Sequence, residues 1–168
     1  MAINSDEFDT LMKDIVESYS NHYLSLDVEA ALNSKYNVHY RNISSLGTKE
    51  QYLQIPNSLS KRRLVSQLRI CSDSYFRLYY KGSLYKFESK ENCTLCDLQQ
   101  PENLIHFLLV CPIYQPYRIQ YLSPYLINNS DVHENITNLL TIKNKEQINN
   151  IYYFTVSALK LRAFVLNE

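Results

Sequence analysis

One short segment constrains this chain more than any other: Cys93-Thr-Leu-Cys96, then His106, then Cys111. Two thiolates in a Cys-x2-Cys knuckle can grip one metal ion, and a His/Cys pair separated by four residues can complete a tetrahedral set. Four ligand-type residues within nineteen positions make one Zn²⁺ the expectation. The competing reading, buried free thiols and a core histidine, explains each residue alone but not their joint spacing. Four protein ligands close the coordination sphere and leave no position for a substrate water, so the ion is expected to be structural.

The flanking residues suit such a site. Residues 102–110 read as a short helix, with Pro101 at its start and Glu102 favouring its N-terminus. Pro112 disfavours helical geometry at Cys111, which should therefore curl back from just past the helix end. Leu104, Phe107, Leu108 and Val110 should pack the site against the body. Cys71 has no partner at ligand spacing and reads as a small core residue.

With two glycines in 168 residues, few tight turns are available, and helices are favoured over a sandwich or barrel. Phe8, Leu11, Met12, Ile15, Val16 and Tyr19 recur at helical spacing and predict a helix over 5–21, with a second over 27–34. Residues 36–44 alternate weakly, like a strand. Ser58 or Ser60 caps a helix over 59–72 whose stripe is Leu59, Leu64, Leu68 and Cys71. Residues 74–88 read as extended, with a turn at Lys81-Gly82. Helical patterns return at 114–122, 134–142 and 145–166, the last with Ile148, Ile151, Tyr152, Val156, Leu159 and Phe164 turned inward. The fold class expected is mostly α: a small helical zinc-binding domain with a short β-hairpin beside the metal site. Three parts are expected: an acidic helical part (1–58), a basic helix with the zinc knuckle (59–126), and C-terminal helices packing on the same domain (127–168).

Net charge is zero but unevenly placed. Residues 1–30 carry one Lys and seven acids, whereas residues 61–90 carry eight Lys or Arg and two acids. In the basic stretch, Lys61, Arg62, Arg63, Arg69, Arg77, Lys81, Lys86 and Lys90 interleave with Tyr75, Phe76, Tyr79, Tyr80 and Tyr85. Cations neutralise phosphates and aromatic rings stack on unpaired bases, so this reads as a face for RNA or single-stranded DNA, extended by Arg118. The rival reading is a protein-interaction module, docking a partner or its own copy through helix 5–21. Catalysis is the weakest reading. His22, His39 and His133 are scattered, and there is no nucleophile motif or phosphate-binding glycine loop. The acidic start lacks the apolar core of a secretory signal and no run reaches membrane length, so an intracellular protein, nuclear or cytoplasmic, is expected.

Leu64-Val-Ser-Gln-Leu68-Arg69-Ile, the Cys-x2-Cys pair, then Pro101-Glu102-Asn-Leu-Ile-His106-Phe-Leu-Leu-Val-Cys111-Pro112-Ile-Tyr114 and Arg118 together resemble a known family. The likeness is to the C-terminal tail of insect-type non-LTR (LINE-like) retrotransposon reverse transcriptases, and it runs from Leu59 to about Leu126. It implies a zinc-knuckle module that helps hold template RNA or target DNA, without catalytic domains. This sequence departs from the pattern where Cys71-Ser72 stands in place of Gly-His, and in the Tyr-rich stretch before the first ligand.

Overall fold

The structure, a computed structural model, describes residues 5–34, 38–44, 46–72 and 75–166. It is mostly helical, with one antiparallel hairpin. Helix α1 (Ser5–Asn33) is a single element rather than the two helices expected. No Gly or Pro interrupts it, and the Ser25 hydroxyl donates back to the His22 carbonyl at 2.7 Å. Every residue from Asp6 to Asp27 is exposed. Near its end, α1 meets a turn at Gly47. That residue has φ +83°, and a Cβ there would come within 3.3 Å of Val28 and 3.6 Å of Leu24, so glycine suits both the backbone and the space.

Over residues 38–44 the alternation expected across 36–44 does not make a strand. Residues 36 and 37 lie outside the described residues; beyond them the chain turns into a short helix, α2 (Tyr40–Ile43). A lone strand would leave its backbone groups unpaired, whereas here the Ile43 carbonyl accepts from Arg69. Helix α3 (Leu59–Arg69) is capped by Ser58, whose Oγ accepts from the Lys61 N–H at 3.4 Å. Leu64, Val65 and Leu68 are buried, but Leu59 is exposed because the first turn stands clear of the core. Cys71, just past the helix, is buried as expected.

Strands β1 (Tyr75–Tyr80) and β2 (Ser83–Glu88) pair with Phe76 opposite Phe87 and Arg77 opposite Lys86. Their two-residue turn is Lys81-Gly82, with φ of 49° and 85°, the geometry that matches the twist of a hairpin. Phe76 and Phe87 stack at 4.1 Å. Both meet Phe107, which also touches Tyr114 and Phe154 edge-on. Phe107 is thus the hub on which hairpin, metal segment and C-terminal helix converge.

Residues 112–125 form short helical turns, among them α4 (Gln115–Tyr117). Two longer helices follow, α5 (Val132–Leu140) and α6 (Lys145–Leu166). Helix α6 packs against α3, burying Ile148, Ile151, Val156 and Leu159 as expected. Tyr152 is half-buried, and Phe164 is 82% exposed, because the helix runs past the core after its last buried anchor, Arg162. Among the described residues, no helix is long and apolar enough to cross a membrane.

Candidate metal centre

The loop that carries Cys93 and Cys96 is pinned at its feet. Cys93 N–H donates to the Gln100 carbonyl at 2.9 Å, and Glu102 N–H to the Glu91 carbonyl at 3.1 Å. The chain leaves β2, makes this closed excursion and enters a helix at Leu104. Asn103 caps that helix: its Oδ1 accepts from the His106 N–H at 2.8 Å. From His106 to Val110 the helix widens into a π turn, closed by the Cys111 N–H on the His106 carbonyl at 2.8 Å. In this way the helix end returns Cys111 toward His106, as the spacing and Pro112 had suggested.

The four side chains come together. One ligand atom from each of Cys93, Cys96, His106 and Cys111 lies within 4.8 Å of all the others. A tetrahedron with metal–sulfur bonds of about 2.3 Å has edges of about 3.8 Å, so a small contraction would close it. Cys96 Sγ and His106 Nε2 are already 3.4 Å apart. On the other side of the ring, His106 Nδ1 is 3.3 Å from Gln100 Oε1. A proton on Nδ1, donated to that amide, leaves Nε2 free for a metal. Cys93, His106 and Cys111 are buried and Cys96 is partly so; the site is a closed cluster that could hold a metal ion.

The three thiols have unequal environments. A hydrogen bond toward Cys111, with burial added, pushes the Cys93 thiol up to about 12; the same bond lowers Cys111. Burial raises Cys96. A divalent ion would replace this contest for protons with three thiolates around one positive centre.

Around the cluster stand residues whose role the sequence did not reveal. Glu102 is buried, 3.8 Å from Cys93 Sγ, and pairs with Arg162 of α6. Burial raises its carboxyl, with Arg162 pulling the other way. The Arg162 guanidinium also lies 4.7 Å over the Phe87 ring. Arg118 is buried as well: its Nε donates to the Leu108 carbonyl and its Nη2 to the Cys111 carbonyl, each at 2.9 Å. It satisfies carbonyls that the end of the π turn leaves open. Three thiolates on a divalent ion would carry one net negative charge and an ionised Glu102 another, which the two guanidiniums would offset.

The residues expected to face nucleic acid therefore divide. Arg118 and Arg69 leave that set. Arg69 is 2% exposed; it donates to the Leu140 carbonyl, pairs with Glu50 at 2.8 Å and stacks 4.4 Å over Tyr52. A guanidinium so engaged joins α2, α3 and α5 and has no face left for phosphate. Lys61 is half-buried and donates to Asn149 Oδ1 at 2.8 Å and to Tyr153, while Arg62 donates to the Leu53 carbonyl. Arg63, Arg77, Tyr79, Lys81 and Lys86 are exposed. On the outward face of the hairpin, Tyr75, Arg77 and Tyr79 of β1 stand beside Leu84, Lys86 and Glu88 of β2. Phe76 and Phe87 are buried on the opposite face, with Tyr80 and Tyr85 half-buried. No family model, no curated protein and no solved structure matches the chain.

Proposed function

We propose that this protein is a zinc-stapled module that binds RNA or single-stranded DNA, and that it acts by binding rather than by catalysis. Three thiolates and one imidazole in a closed set suit Zn²⁺, which accepts tetrahedral S/N coordination without redox chemistry. The observation that carries the binding reading is the outward hairpin face: Tyr75 and Tyr79 expose their rings on the same face as Arg77 and Lys86, with Lys81 exposed at the turn. Rings and cations so mixed provide stacking and phosphate neutralisation together. The resemblance of residues 59–126 to a retrotransposon reverse-transcriptase tail supports the same reading. The test is binding of short RNA and single-stranded DNA by protein of measured zinc content, across a salt series. Tight binding that weakens with salt, by a log–log slope of about −0.7 per neutralised phosphate, is the expected result; no binding at low salt overturns it.

A second reading is favoured by α1. Phe8, Leu11, Met12, Ile15, Val16 and Tyr19 are all more than 40% exposed along an acidic helix about 43 Å long. Such a surface suits a protein-docking helix. In that case zinc would staple a domain whose contacts are made by α1.

A further inference from the structure

The outer edge of β1 is closed at one place and open at the next. At Tyr79, Gln67 of α3 clasps it: the Tyr79 N–H donates to Gln67 Oε1 at 2.7 Å, and Gln67 Nε2 donates to the Tyr79 carbonyl at 3.5 Å. A side-chain amide thus makes the two bonds a neighbouring strand would make. In an antiparallel pair, residues alternate between bonding across the ladder and facing outward. Tyr79 faces outward, so Arg77, two residues earlier, does too. The Arg77 N–H and carbonyl open into a groove of about 330 Å³ between α3 and β1, whose walls include Gln67, Ile70, Ser72, Tyr75 and Tyr79. Among the described residues nothing bonds these two groups.

The length of the open edge decides what fits. Strand addition requires a run of edge groups, and a typical strand has about five or six residues. The Gln67 clasp leaves only Arg77 and the first strand residue, Tyr75. One donor beside one acceptor is instead what the hydrogen-bonding edge of a single base requires. The rims are aromatic: Tyr75 and Tyr79 are 45% and 58% exposed, and the Arg77 guanidinium sits 5.5 Å over the Tyr75 ring. Arg63, one helical turn before Gln67 on the same face of α3, adds a cation near the clasp.

We propose that this groove seats one unpaired nucleobase, read by the backbone of Arg77 and stacked on a rim tyrosine. The inference rests on the nucleic-acid reading above and makes the α3–β1 groove its specificity site. The experiment compares short single-stranded oligonucleotides of U, C and A on the full chain across a salt series. Wild-type protein should prefer one base on the order of tenfold. Ile70→Trp, which fills the groove without changing charge, should level the three affinities while leaving the salt slope unchanged. Tyr75→Ala, at an exposed rim position, should do the same and guards against a folding defect in the first variant. Equal wild-type affinities, or a preference that survives both variants, would overturn the groove while leaving nucleic-acid binding intact. No binding of any oligonucleotide would overturn both, as would binding of an extended acidic peptide in their place.

Discussion

The Cys111 N–H bonds the His106 carbonyl at 2.8 Å, five residues back rather than four. The wider turn brings the fourth cluster residue round toward the third. An α-helix advances about 100° per residue, so five residues would leave the two side chains roughly 140° apart around its axis. Widening the turn, then breaking it at Pro112, lets both reach one centre.

Inserting one alanine between Val110 and Cys111 should therefore carry Cys111 roughly another 100° round and out of the cluster. Bound zinc per chain, read by a colorimetric metal assay after dialysis, should fall well below the wild-type value. Unchanged stoichiometry would mean that the π turn is incidental.

Metal removal should unfold the segment from 91 to 122. Structural zinc binding is worth about 10–16 kcal/mol in small metal-folded domains, and with zinc bound that energy would help hold the Phe107 hub against the hairpin. Chelator, Cys96→Ser or His106→Ala should lower the thermal midpoint sharply, with recovery on zinc addition for wild type only. A variant that keeps its midpoint in chelator would remove zinc from the account of the fold.

Zinc affinity should rise with pH. The Cys93 thiol, pushed up to about 12, is protonated at neutral pH without metal, and its proton must leave when the thiolate binds. Each proton released in that range makes affinity about tenfold tighter per pH unit. A Co²⁺ titration followed through the thiolate charge-transfer band at pH 6, 7 and 8 would measure this, and a flat profile would contradict it.

Arg162→Met should destabilise the protein by about 3–5 kcal/mol, because it leaves the Glu102 carboxyl buried without its partner. Replacing Glu102 and Arg162 together by Leu and Met should cost much less. Urea unfolding of the two single variants and the double closes the cycle. Additive losses would show that the pair does not act as a unit.

Arg77→Ala with Lys86→Ala should reduce the salt slope of single-strand binding by about 1.4, since each cation removed leaves one phosphate with its counterions, and little change in stability should follow. Arg69→Ala should do the reverse: it leaves backbone carbonyls and Glu50 without their donor, so stability falls while the slope of the folded fraction stays. If Arg69→Ala alters the slope as much as the hairpin pair, the division into exposed and buried arginines is wrong.

Much of the architecture was legible in the residues because its signals are local. The Cys-x2-Cys knuckle, the Ser58 cap, the Lys81-Gly82 turn and the bounds of α6 all depend on near neighbours in the chain. The errors have one origin. Leu59 and Phe164 sit on correct apolar stripes but at helix ends that overrun the core. The alternation at 36–44 found no neighbouring strand among the described residues, so its period had nothing to pair with.

Which four side chains cluster, and which segments become helix or hairpin, follows from spacing and turn chemistry acting over a few residues. The fate of the arginines follows from packing instead. Arg69, Arg118 and Arg162 cannot be told by composition from Arg63 or Arg77; what separates them is whether a carbonyl or carboxylate waits in the core, only seven and ten positions back for Arg118 but far along the chain for the other two. Leu140 lies 71 positions from Arg69, and Arg162 lies 60 from Glu102. A charge goes inside where the folded chain supplies partners that offset its desolvation. For Arg69 and Arg162 those partners are brought together by the tertiary fold, across separations at which no sequence period carries information.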